Sequence, residues 1–182
     1  MKFVKGFNDW DKVSEELKYH VENGLGLEDT VFRLGSDAHT KLFEEVKQYW
    51  DKGNIILNGK GGWMAKNLEV GKKAIYKDRK TGRTTNVKLD SPQRGGNKKF
   101  IVYRNSGRTD NETGEIIAKK IEWGDSSGLS IKNDDPGRAA SFWARHGCDK
   151  KEKMDPNKAG FWGCYGPSLF GKQLGLKSTQ PW

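Results

Sequence analysis

The chain holds only two cysteines, Cys148 and Cys164, in 182 residues. That is too few for the paired Cys-x-x-Cys knuckles that make zinc ribbons recognisable from sequence. No run approaches 18 apolar residues, and the opening Met-Lys-Phe-Val-Lys-Gly lacks a long apolar core. Neither membrane insertion nor Sec-type secretion is therefore expected, and synthesis in the cytoplasm is. No Gly-x-Ser-x-Gly, P-loop or His-Glu-x-x-His pattern occurs, and the acidic residues are dispersed with no paired-carboxylate signature. These absences point to a non-enzyme. A hydrolase or nuclease built from scattered residues stands as a third class behind the two developed below. There is no internal repeat.

What the chain has in excess is positive charge. Its 33 Lys and Arg against 24 Asp and Glu leave a net +9. Between Lys72 and Lys99 stand Lys72, Lys73, Lys77, Arg79, Lys80, Arg83, Lys88, Arg94, Lys98 and Lys99, opposed only by Asp78 and Asp90. A local excess of this size attracts phosphates or acidic protein surfaces at long range. A solvated basic linker is the plainer alternative.

A length of 182 residues with 34% hydrophobic content suits one domain, or one domain with an appendage. The expected class is α+β, a helical N-terminal region followed by a small antiparallel sheet with a packed short helix. Trp10, Val13, Leu17 and Val21 recur at helical spacing after the cap candidates Asn8 and Asp9. Ser36 caps a second helix with the stripe Leu42, Phe43, Val46, Tyr49 and Trp50, which Gly53 ends. Ala74 to Tyr76 and Thr84 to Leu89 read as short strands. The proline and paired glycines of Asp90-Ser-Pro-Gln-Arg-Gly-Gly-Asn97 mark a boundary, giving regions 1–90 and 91–182. Beyond it, Phe100 to Arg104 and Glu115 to Trp123 form a hairpin with a long polar tip. Leu129 to Lys132 offers a third strand, and Pro167 to Leu176 one or two amphipathic turns. Lys177 to Trp182 reads as an extended tail whose terminal tryptophan needs a docking partner.

The stretch from Asp135 to Cys164 concentrates the remaining chemistry. Asp135 suits an N-cap, Pro136 the first helical position and Gly147 the left-handed residue after the helix. Phe142 and Trp143 are assigned to packing, Phe142 against the hairpin, with Arg145 as an internal brace and Trp162 as core. His146, Cys148 and Cys164 could ligate zinc, the cysteines could form a disulfide, or both could be reduced buried thiols. Catalysis by Cys148 with His146 as base is disfavoured, because residues two apart point in different directions on a strand or a helix. The aromatic residues near it are assigned mainly to the core, and Trp63 is the likeliest exposed tryptophan of the first half.

Several segments together resemble a family of virion structural proteins from contractile-tailed bacteriophages of the cyanophage type. They are Arg33-Leu-Gly-Ser-Asp37 leading into Leu42-Phe-Glu-Glu45, Leu89 to Tyr103, Ile121-Glu-Trp-Gly-Asp125, the Asp-Pro-x-x-Ala-x-Ser-Phe-x-Ala-Arg-His-x-Cys pattern at Asp135 to Cys148, and Gly160-Phe-Trp-Gly-Cys164. The resemblance covers most of the chain and implies a head, neck or tail component without catalytic chemistry. It implies other virion proteins as partners, a symmetric assembly, no membrane, and location in the virion after synthesis in the host cytoplasm. No cofactor is expected unless the zinc alternative holds. The competing expectation is a nucleic-acid-binding module, with zinc in one version, whose basic segment contacts DNA phosphates.

Overall fold

A computed structural model describes residues 1–4, 7–33, 35–124, 136–171 and 174–176. The chain divides into two compact units, Met1–Gly71 and Lys72–Trp182. The class is α+β, as the sequence suggests.

In the first unit, β1 (Lys2–Phe3) pairs antiparallel with β2 (Ile55–Ile56). The expected first helix is broken in two: Trp10–Lys12 is a single 3-10 turn, and α1 spans Glu15–Glu22. The cap is Ser14 and not Asn8 or Asp9, because the Ser14 hydroxyl accepts from the Leu17 amide at 3.2 Å. Ser14 is held in turn by Glu45, whose carboxylate accepts from both its amide and its hydroxyl. Glu45 lies on α2 (Asp37–Asp51), which Ser36 caps through the His39 amide. Leu42, Phe43 and Val46 of α2 are buried, as are Leu17 and Leu27, while Tyr49 and Trp50 are half-buried. The glycine-rich run after Asn58 is the first turn of α3 (Gly59–Asn67), which buries Met64 and Ala65. Trp63 is half-buried, no more exposed a class than Trp10 or Trp50.

The second unit is built on a curled five-stranded sheet. Its strands are β3 (Lys73–Lys77), β4 (Thr84–Lys88), β5 (Gln93–Arg94), β6 (Phe100–Thr109) and β7 (Ile116–Trp123), in the order β4-β3-β7-β6-β5. β3 joins β7 in parallel at Ile75 and Ile117, so the sheet is mixed, not purely antiparallel. That pairing moves the boundary from residue 90 to Gly71, since it makes the basic hairpin part of the sheet. β6 runs five residues past Arg104, with a bulge between Asn105 and Arg108, so the polar tip is shorter than the sequence suggests.

Closure of the sheet depends on the residues just after β4. Leu89 bridges Tyr103 in parallel, the Asp90 amide donates to the Tyr103 carbonyl at 2.8 Å, and Arg104 Nη1 donates to Asp90 Oδ2 at 2.6 Å. Asp90 adopts φ 49°, a left-handed conformation that aspartate tolerates better than most side chains. Beneath this closure Ala74, Leu89 and Ala118 are buried, with Tyr76, Val87, Tyr103 and Ile116 packed on them.

The helical end of the unit comprises α4 (Pro136–His146), α5 (Ala159–Cys164) and α6 (Gly166–Phe170). α5 packs on β7, and a Cβ placed on Gly166 would sit 3.1 Å from the Trp123 ring, so that glycine admits close approach. Trp162 is fully buried, stacks on Phe170 at 5.9 Å and donates its indole N–H to the Pro156 carbonyl. Phe142, expected in the core, is only half-buried; Phe161, Trp162 and Phe170 take that place. α6 is buried along its whole length and not amphipathic. The sequence-based strand at Leu129 to Lys132, the Asp135 cap and the Lys177 to Trp182 tail lie outside the described residues.

Candidate interaction surface

The basic segment is largely a structured hairpin. Asp78 shapes the turn between β3 and β4, its carboxylate accepting from the Lys80 and Thr81 amides at 2.8 and 3.1 Å. Those bonds hold the Asp78 pKa below the usual carboxylate range, so the turn keeps its acid charged. The tip then presents Arg79, Lys80 and Arg83 outward, and Lys73 is exposed opposite the half-buried Lys88. Like charges directly opposite on paired strands repel, and their potentials add to the positive field of this face.

The remaining basic residues divide differently. Lys77 pairs with Asp110, and that contact, with the Thr113 and Glu112 amides, holds the Asp110 pKa down to about 2. Arg94 lies over the Phe100 ring at 5.3 Å and donates to the Leu174 carbonyl at 3.0 Å. Although exposed, it ties Leu174 to the Phe100 end of the sheet. Lys99 stands over the same ring at 6.0 Å, Lys98 is exposed, and Lys72 is exposed beside the start of β3. The ten residues are thus not one binding stripe. The outward-facing charge of the hairpin centres on Lys73, Arg79, Lys80 and Arg83.

The proposed ligand set His146, Cys148 and Cys164 is not assembled. Cys148 and Cys164 form a disulfide with Cα atoms 5.6 Å apart, and a bonded sulfur cannot act as a thiolate ligand. The same bond excludes the reduced-thiol alternative. His146 is exposed at the end of α4, its ring 4.2 Å from Phe142, and no group of three metal-ligating side chains occurs among the described residues. Desolvation lowers the His146 pKa, with Arg145 and Lys153 adding to it. Arg145 is exposed and is no internal brace, although its charge suits the C-terminal end of α4. Trp143 is half-buried edge-on to Tyr165, whose hydroxyl donates to the Cys148 carbonyl at 2.6 Å. The disulfide and that bond tie the end of α4 to α5. Cys148→Ser is expected to lower stability by about 3 kcal/mol, the loop-closure value for a loop of this length. Thermal melts with and without reductant measure it; insensitivity of the wild type to reductant would contradict it.

In the first unit a cleft of about 380 Å³ is lined by Met1, Lys2, Gly26, Glu28, Asn58 and Gly61, among others. Glu28 Oε2 is buried there without a hydrogen-bond partner among the described residues. A Cβ on Gly26 would come within 2.5 Å of it. The carboxylate lies against the first turn of α3, where the helix dipole favours it, and its charge opposes phosphate binding at the glycine-rich turn.

The same unit buries His20 and His39. His20 Nδ1 donates to the Glu16 carbonyl at 2.8 Å. Burial, with His20 adding to it, pushes the His39 pKa from 6.5 down to about 4. Between those values the unfolded chain binds the extra proton, so stability rises with pH through the window and is lost on acidification, by up to about 3 kcal/mol. His39→Leu should flatten the pH dependence of the melting temperature between pH 7 and 4.5. Equal slopes for variant and wild type would contradict this.

No helix among the described residues is long and apolar enough to cross a membrane. No family model, curated protein or solved structure matches this chain.

Proposed function

We propose that this protein is a non-enzymatic structural component of a bacteriophage particle that contacts neighbouring subunits through the basic β3–β4 hairpin. The observation that carries this reading is the hairpin itself: Arg79, Lys80 and Arg83 are displayed on a turn made rigid by Asp78 and by the sheet behind it. A flexible linker would present the same charges with a larger ordering cost on binding. The resemblance of Asp135 to Cys148 and of Leu89 to Tyr103 to virion proteins supplies the context. The Cys148–Cys164 disulfide supports a protein that works after release from a reducing cytoplasm. Quantitative mass spectrometry of purified particles beside the lysate tests the proposal. It should find the chain in the particles at a fixed ratio to the other subunits, and absence from intact particles would overturn it.

The nucleic-acid reading has one specific observation in its favour, the half-buried pair Tyr76 and Tyr103, 5.3 Å apart with Lys120 over Tyr76. Glu122 lies 3.3 Å from the Lys120 amine and offsets part of that charge, which weakens a phosphate-tracking role.

A further inference from the structure

β4 is the terminal strand of the five-stranded sheet; among the described residues its outer edge is polar and unpaired from Thr84 to Asn86, and the chain beyond it closes onto β6 at Leu89. The hydrogen-bond frame is fixed at both ends: the Leu89 amide donates to the Lys72 carbonyl at 2.8 Å, and the Asp78 amide donates to the Arg83 carbonyl at 2.9 Å. Antiparallel pairs alternate between bonded and non-bonded positions. In the observed register Thr85 and Val87 therefore bond inward to β3, while the backbone groups of Thr84 and Asn86 point away from it. Thr84, Thr85 and Asn86 are all exposed.

An open edge is a template for another strand, and proteins commonly protect such edges with charge. Here Arg83 adjoins β4, Arg79 and Lys80 stand on its turn, and none of the three makes an ion pair among the described residues. Asp78, the nearest acid in the chain, is engaged by the turn amides. A second copy of β4 would bring the same positive charges together and be repelled. An acidic strand would be attracted and could complete the backbone pairing.

We infer that the β4 edge accepts an extended acidic segment of another protein by strand addition, with Thr84 and Asn86 supplying main-chain hydrogen bonds and Arg79, Lys80 and Arg83 selecting the charge. The inference rests on the reading of the basic hairpin as a subunit contact and gives that contact a partner chemistry.

The test uses the full chain and an end-blocked eight-residue peptide of alternating glutamate and valine, followed by fluorescence anisotropy. The peptide should bind at low salt, and its lysine–valine counterpart should not. Asn86→Pro removes an outward N–H at an edge position that proline tolerates. It should weaken peptide binding roughly tenfold, the loss of a main-chain hydrogen bond and of strand approach, while leaving the melting temperature near that of wild type. Should that variant misfold, a peptide N-methylated on alternate residues makes the same test from the ligand side and should lose binding equally. Failure of the acidic peptide to bind wild type, or binding indifferent to both changes, would overturn the inference. So would binding of an oligothymidylate, unaffected by Asn86→Pro, in the absence of peptide binding. Peptide binding by a protein absent from particles would remove the virion reading and leave this one standing; presence in particles without peptide binding would do the reverse.

Discussion

Asp90→Ala is expected to destabilise the second unit by about 3–5 kcal/mol, because it leaves the Arg104 guanidinium buried without its carboxylate. Asp90 is 1% and Arg104 9% exposed, and their 2.6 Å contact joins the segment after β4 to β6. The loss also loosens the Leu89–Tyr103 bridge over Ala74 and Ala118. Asp90→Gly would suit the positive φ yet should still be strongly destabilised, which separates charge from backbone strain. Asp90→Ala with Arg104→Met should recover much of the loss, since neither buried charge then remains. Urea denaturation of the three variants measures these differences. A cost below about 1 kcal/mol for Asp90→Ala, the level of an exposed pair, would refute the buried-pair account.

Trp162→Ala should cost a similar amount, about 3–5 kcal/mol, as expected for emptying a fully buried aromatic site. The indole is enclosed by Phe161 and Phe170, and its N–H donates to the Pro156 carbonyl at 2.7 Å. Trp162→Phe, which keeps much of the volume and loses the donor, should fall well short of that. Phe142→Ala should cost clearly less than Trp162→Ala, since Phe142 is half-buried. The reverse ranking in thermal melts would show that α4, not α5, carries the core of this end.

Local signals were legible where one residue decides the outcome. Ser36 before a stripe of Leu42, Phe43 and Val46 leaves little choice about α2. The Trp10 to Val21 spacing misled, because Trp10 extends the helical period while Ser14, bound to Glu45 from α2, restarts the helix four residues later. The domain boundary was hidden for a different reason: the Ile75–Ile117 pairing is long-range, whereas the proline and glycines after Asp90 are loud local punctuation inside the sheet unit. Trp162 could be recognised as core, yet the glycines around it concealed that its segment is helical. The disulfide stood in the sequence as one of three alternatives, and only the 5.6 Å approach of the two backbones separates them.

The Asp90–Arg104 pair has a local signal in the sequence, although composition and charge counts do not show it. Phe100, Val102 and Arg104 alternate along one strand, so the face that buries the first two also takes the arginine, and a buried arginine requires an acid. Asp90 is one of two acids in the basic segment, and the other is used by its own turn.

The proposed role turns on the outward charge of the β3–β4 hairpin, and the most direct measurement is the particle-to-lysate ratio of an Arg79→Glu/Lys80→Glu/Arg83→Glu protein beside wild type, by quantitative mass spectrometry. All three residues are exposed, so the fold should survive the change. The account predicts that the variant accumulates in the lysate, folded, and is depleted from particles. Incorporation equal to wild type would contradict it.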